Sequence, residues 1–276
     1  MKFVKMQGAG NDFILLNNME EKLPPERLPE IARRLCARRL SIGGDALMVV
    51  DAACEGGDYR MRFYNADGTL GEMCGNGARC LARYGYENGL AGEEQRIETD
   101  AGLVVGRRIS ERAYRVQMND PLDLRLSLPL AAGGQTLDCA YMVLGVPHAV
   151  IPFPELDTAE EGALRELGRE IRWHSAFPKG ANVDFVKPLT DGSFLARTFE
   201  RGVEDFTLAC GTGACSVAVA MTLRGCADGR AVRIHMPGGE LTVDLAAEDG
   251  EVREVYLTGP TNIVAAGEVL DEDLAL

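Results

Sequence analysis

The sequence predicts an α+β fold made of two pseudo-symmetric halves from an internal duplication, each a β-sheet curled around one central helix. Three observations carry the prediction. Met73-Cys74-Gly75-Asn76-Gly77-Ala78-Arg79-Cys80 and Ala209-Cys210-Gly211-Thr212-Gly213-Ala214-Cys215 repeat each other, with Cys74 and Cys210 lying 136 positions apart in a chain of 276 residues. Nearly the same offset recurs in the segments before and after each cysteine. Residues 211–223 contain no charge, so a helix there is apolar around its whole circumference and has to be enclosed.

The first half opens with a short strand and the turn Gly8-Ala9-Gly10-Asn11-Asp12. Leu28–Arg39, with Pro29 in its first turn, reads as an outer amphipathic helix. The alternating run Tyr59–Tyr64 is a strand that ends at Asn65, and the helix after Cys74 follows. That helix carries Arg79 and Arg83, so less complete enclosure is expected of it. Arg96–Met118 reads as three strands joined by turns at Asp100-Ala101-Gly102 and Ser110-Glu111-Arg112.

The second half repeats the order. The strand Tyr141–Leu144 precedes Gly145-Val146-Pro147-His148, which matches Asn11 to His148 at an offset of 137. Thr158–Ile171, with its Glu-rich start, is the second outer helix. Phe194–Phe199 ends at Glu200, 135 positions after Asn65, and the helix after Cys210 comes next. Val232–Leu257 repeats the closing strands around Pro237-Gly238-Gly239 and Asp249-Gly250. The expected domains are 1–118 and 119–263, with 264–276 as one further strand that returns to the first half.

A hydrophobic content of 46% over this length suits two ordinary domains. The net charge is −13 without a basic stripe, which argues against nucleic acid and against an anionic membrane as partners. The first apolar run, Phe13–Leu16, is too short for a signal-peptide core. The longest uncharged stretch, Ala140–Pro154, is shorter than a spanning helix and holds three prolines. The expectation is a soluble, cytoplasmic protein whose eight cysteines stay reduced. Cys36, Cys54, Cys139 and Cys226 are read as core filler, and Cys80 and Cys215 as helix packing.

Cys74 and Cys210 differ from these because each stands at the opening of a Gly-x-Gly helix start. A helix N-terminus favours anions and lowers a thiol's pKa. Its glycines let backbone amides approach a bound carboxylate closely. Two such thiols on opposite sides of one cleft suit the movement of a proton between the faces of a planar carbon, with one sulfur as thiolate base and the other as thiol acid. The chain therefore reads as a racemase or epimerase acting on an α-amino acid. No metal is expected, since the spacings Cys74-x5-Cys80 and Cys210-x4-Cys215 do not match zinc sites. Pyridoxal phosphate is another route to such chemistry, which a thiol pair makes unnecessary. A thiol-redox protein and a non-catalytic amino-acid-binding module are the alternatives of other classes.

Gly8-Ala9-Gly10-Asn11-Asp12-Phe13, Tyr64-Asn65-Ala66-Asp67-Gly68, the Met73–Cys80 segment, and Glu200-Arg201-Gly202-Val203 followed by Ala209–Gly213 together resemble the diaminopimelate epimerases over the whole chain. The resemblance implies a pyridoxal-independent, cofactor-free two-base enzyme that interconverts LL- and meso-diaminopimelate on the route to lysine and peptidoglycan. It implies mixed sheets around each helix, with Cys74 and Cys210 as the acid and base thiols. By the same resemblance Gly75, Asn76, Gly211 and Thr212 hold the reacting carboxylate. Asn11, Asn65, Asn182, Glu200 and Arg201 bind the amino and distal groups, and His148 and Glu200 tune the thiols. The expected partner is the small-molecule substrate, with a homodimer left open. The chain departs from the family pattern at Val146, where asparagine is common, at Gln7, where histidine is frequent, and in a Glu200–Cys210 segment one residue longer than usual. The same architecture serves histidine racemases, which makes another amino acid the runner-up substrate.

Overall fold

The computed structural model describes residues 1–276 apart from 72, 249–250, 271, 273 and 275–276. The elements of the first part of the chain are β1 (Lys2–Gly8), β2 (Asn11–Asn17), α1 (Asn18–Glu21), α2 (Leu28–Cys36), β3 (Ala46–Ala52), β4 (Tyr59–Asn65), β5 (Leu70–Gly71), α3 (Gly75–Glu87), β6 (Glu94–Thr99), β7 (Gly102–Arg108) and β8 (Ala113–Gln117). The remainder contains β9 (Leu122–Ala132), β10 (Gln135–Leu144), β11 (Val146–Pro152), α4 (Glu161–Arg172), β12 (Asn182–Pro188), β13 (Phe194–Phe199), α5 (Gly211–Leu223), β14 (Val232–Met236), β15 (Gly239–Glu248), β16 (Glu251–Pro260) and β17 (Asn262–Glu268).

Two compact units result, one of Met1–Val116 with Gly259–Leu276 and one of Gln117–Thr258. The boundaries differ from the expected 118 and 263 because of backbone hydrogen bonds. Met118 N–H donates to Val255 O (2.8 Å) inside the second unit, while Thr261 N–H donates to Arg112 O (2.8 Å) inside the first.

In the first unit the strand order is β17-β1-β2-β3-β4-β6-β7-β8, with β2–β3 and β4–β6 parallel and the other neighbours antiparallel. The second unit has the order β9-β10-β11-β12-β13-β14-β15-β16, with β11–β12 and β13–β14 parallel. The two orders coincide, and β17 fills in the first the place that β9 fills in the second. The strand expected over 264–276 is described here as Asn262–Glu268; 271, 273 and 275–276 lie outside the described residues, as does the expected turn Asp249-Gly250.

Strand periodicity assigns each sheet two buried faces. On β12 and β13, Val183, Phe185 and Phe199 join Leu164, Leu167 and Ile171 of α4 in one apolar cluster. The alternate residues Asp184 and Thr198 lie against Gly213 of α5. The first unit follows the same plan: Leu47, Val49 and Tyr64 pack with Leu28, Ile31 and Leu35 of α2, and Met48 and Phe63 lie against Gly77 of α3.

Strand register corrects the alignment of the two halves. Phe13 pairs with Ala46 as His148 pairs with Asn182, and Met48 faces Phe63 as Asp184 faces Thr198. His148 therefore occupies the place of Phe13, and Asn11 that of Val146. The β1–β2 turn holds Ala9 and Gly10, whereas Gly145 alone joins β10 to β11, and that residue changes the offset from 136 before the turn (Met6 and Met142) to 135 after it (Phe13 and His148).

Four other expectations change. Helix α3 is as enclosed as α5 through Gly85, with Arg79 fully buried and Arg83 nearly so. Backbone carbonyls and side chains absorb both charges: Arg83 Nη1 donates to Thr261 O (3.0 Å) and Arg79 Nη2 to Asn76 Oδ1 (2.8 Å). Cys54 and Cys226 are exposed and fill no core, while Cys36, Cys80, Cys139 and Cys215 are buried. Helix α2 stops at Cys36 because Ala37 leaves helical dihedrals and Arg39 has a positive φ. Helix α4 starts at Glu161, since the Glu160 carboxylate caps it by accepting from Gly162 and Ala163 N–H. Among the described residues no helix is long and apolar enough to cross a membrane.

Candidate active site

Each central helix begins at its cysteine. Cys74 (φ −130°, ψ 120°) and Cys210 (φ −114°, ψ 114°) are both extended N-cap residues of the helices that start at Gly75 and Gly211. First-turn amides of a helix have no intrahelical acceptor, so each thiol stands beside an electropositive rim. The third helical residue must be small. A Cβ on Gly77 would lie 2.9 Å from Met48 Sδ, and one on Gly213 would lie 2.4 Å from Asp184 Oδ1 and 2.8 Å from Thr198 Oγ1.

In the first unit Asn76 is buried at the start of α3 and donates to Asn11 Oδ1 (2.5 Å), while its own oxygen accepts from Arg79. Asn11 Nδ2 in turn donates to Asp45 Oδ2 (3.1 Å). Arg79 thus sets which way the Asn76 amide points, and Asn76 sets Asn11. Gln7 Oε1 accepts from Gly10 N–H (3.0 Å), holding the turn that presents Asn11. Asn65 is exposed at the end of β4, where its amide donates to Thr69 Oγ1 (3.0 Å) across the turn. Asn11, Cys74, Gly75 and Asn76 are brought together at the α3 start, and Asn65 makes its side-chain bond within its own turn.

The second unit surrounds Cys210 with polar groups. Its Sγ accepts from Gly213 N–H (3.3 Å) and lies 3.4 Å from Thr212 Oγ1. Glu200 acts on the thiol electrostatically and accepts from Thr207 Oγ1 (2.6 Å). Burial above all, then the Glu200 and Asp184 carboxylates, pushes the Cys210 thiol well above its ordinary value against the help of Thr212 and Gly213. Burial likewise raises the Glu200 carboxyl, partly offset by Thr207, Cys210 and His148. His148 is fully buried, with Nδ1 2.8 Å from Asp184 Oδ2. Asn182 ties two segments together: its Nδ2 donates to Pro147 O (3.3 Å) and its Oδ1 accepts from Arg201 N–H (2.8 Å). His148, Asn182, Glu200, Cys210, Gly211 and Thr212 therefore gather at one end of α5, and Arg201 joins them through its backbone while its guanidinium donates to Lys179 O (3.2 Å).

Between Glu200 and Cys210 the chain makes a turn. Glu204 N–H donates to Glu200 O (2.8 Å), Glu204 has a φ of 60°, and Arg172 Nη2 (3.0 Å) and Arg165 Nε (2.7 Å) hold Glu204 and Asp205. Asp184, Thr198, Thr207 and Arg79 are site groups absent from the expected set. The carboxylate inside the apolar run Val183–Val186 was a signal for the first; the others sit at positions with no such mark.

A family model described as diaminopimelate epimerase matches residues 3–122 and 140–264. The chain is 37% identical to a diaminopimelate epimerase of Aquifex aeolicus, over 99% of each chain. It is 40% identical to one of Moorella thermoacetica, over 97% of this chain and 99% of the relative. Among solved structures it resembles a Bacillus anthracis phenazine biosynthesis protein of the PhzF family (TM-score 0.76, 15% identity, 98% and 99% covered). It also resembles a hydroxyproline epimerase from Agrobacterium vitis (TM-score 0.71, 20% identity, 99% and 94% covered). These structural likenesses concern the fold. The full-length matches and the two cysteine-capped helices agree: the chain belongs to the diaminopimelate epimerase family.

Proposed function

We propose that this protein is a cofactor-independent isomerase that interconverts LL- and meso-diaminopimelate, with Cys74 and Cys210 as its paired acid and base. The observation that carries the reading is a reactive residue type at the N-cap of the same central helix in two units of identical strand order. In one direction a thiolate takes the α-hydrogen as a proton and becomes a thiol, leaving the electron pair on an enolate-like carboxylate. The other thiol gives its proton to the opposite face and becomes the thiolate. Backbone amides at Gly75, Asn76, Gly211 and Thr212 stabilise the carboxylate charge as it grows. Arg201 is suited to the distal carboxylate, since guanidinium pairs with carboxylate through two parallel donors. Asn11, Asn65 and Asn182 supply amide partners to the remaining polar groups. Two reduced thiols fit a cytoplasmic setting.

The test is proton exchange. Incubation with diaminopimelate in D2O should remove the α-proton NMR signal as the stereochemistry inverts. Cys74→Ala and Cys210→Ala should each lower inversion by at least about a thousandfold, because one sulfur reaches one face only. Near-normal turnover by either variant would sink the two-base reading.

A further inference from the structure

We infer that Asp184, anchored by Thr198, is a positioning residue that fixes His148 with its hydrogen on Nδ1 and keeps Nε2 as the lone-pair nitrogen at the Cys210 end of α5. The inference deepens the reading above and rests on it for its catalytic consequence.

The geometry of the cluster dictates who donates. Asp184 is fully buried, and each of its oxygens has a partner: Thr198 Oγ1 at 2.7 Å on Oδ1 and His148 Nδ1 at 2.8 Å on Oδ2. A carboxylate only accepts, so the hydroxyl and Nδ1 both carry the hydrogens. His148 Nε2 is buried and has no hydrogen-bond partner among the described residues. The imidazole is thus committed at one nitrogen and uncommitted at the other.

The first unit shows that the fold does not require this polar cluster. At the equivalent register positions His148, Asp184 and Thr198 are replaced by Phe13, Met48 and Phe63. Those residues are buried, and the two rings meet edge to face with centroids 6.3 Å apart. Burying an imidazole, a carboxylate and a hydroxyl costs free energy unless every group is partnered, whereas a packed apolar set of similar volume carries no such cost. One copy of the duplicated unit uses the apolar solution and the other keeps the polar one, beside a thiol. Gly213 leaves room for it, since any side chain there would strike Asp184 and Thr198. A group that holds the tautomer of a working histidine is the role such a carboxylate fills elsewhere in chemistry of this kind.

The experiment is 15N NMR of the ring nitrogens in the full-length protein at alkaline pH, with the His148 signals identified by their loss in His148→Phe. The wild type should show the hydrogen on Nδ1. Asp184→Leu should populate both tautomers and lower kcat about 10- to 100-fold with KM changed less than about twofold. Thr198→Val should keep the Nδ1 tautomer and lose a few-fold in kcat. A wild-type ring hydrogen on Nε2 alone, or wild-type kcat in Asp184→Leu, overturns the inference. If Asp184→Leu does not fold, undiminished kcat in Thr198→Val overturns it. Failure of the epimerase reading is distinct: Cys210→Ala would keep its turnover while the wild-type spectrum still placed the hydrogen on Nδ1.

Discussion

Cys210 ionises against resistance, and Glu200 shares its difficulty. Because burial raises the Glu200 carboxyl above 4.5, the folded protein holds that proton more tightly than the unfolded chain. The stability this contributes is complete below pH 4.5 and is lost as pH rises through the folded value. Glu200→Gln removes the loss. Thermal melts from acid to neutral pH should show the variant gaining on the wild type as pH rises, while D2O exchange falls about 10- to 100-fold; parallel melting curves would refute this. Gly213→Ala should cost about 1–3 kcal/mol in urea unfolding, because its Cβ falls 2.4 Å from Asp184 Oδ1. Gly92→Ala, with nothing within 4 Å, is the control and should stay within about 0.5 kcal/mol. At this scale the sequence was legible where a residue type was out of place. The cysteines before Gly-x-Gly stood out, but Thr198 could not, since threonine is ordinary in strands.

Elements were legible wherever periodicity and burial agree. The charge-free α5 announces its enclosure, whereas α3 conceals the same fate because Arg79 and Arg83 find their partners far away in sequence or on the helix's own first turn. Long-range pairing also sets the loop between β3 and β4. The Glu98 carboxylate on β6 accepts from the N–H groups of Cys54 (2.8 Å), Gly57 (2.8 Å) and Glu55 (2.6 Å). These bonds hold its carboxyl down at about 2, against the opposing effect of burial. Its folded value is depressed, so its contribution to stability is present above pH 4.5 and is lost as pH falls toward about 2. Glu98→Gln should therefore unfold at lower urea than the wild type at neutral pH, with the gap closing in strong acid. Hydrogen exchange of the Cys54, Glu55 and Gly57 amides should speed up in the variant; unchanged protection would show that the carboxylate does not hold the loop.

The duplicated order of the whole chain was readable because the motif recurs at a nearly constant offset, and the sheet register then moved the counterpart of His148 by two positions, from Asn11 to Phe13. The identity of Phe13 as the counterpart of His148 depended on strand pairing, which no local sequence match contains. One topological detail bears on how the chain is made. The last strand, β17, pairs with the first, β1, while every strand of the second unit is contiguous between Gln117 and Thr258, apart from the last residues of β16. During vectorial synthesis the second unit has its strands in hand while the edge of β1 still waits for Asn262–Glu268. An emerging chain thus carries an unpaired strand edge for most of its translation, the kind of edge that recruits other chains. A chain ending at residue 260 should keep protease resistance across the second unit, lose it in the first, and aggregate. Asn262–Glu268 thereby acts as a clasp on Lys2–Gly8, and a ribosome that stalls before that strand releases a half-closed first unit.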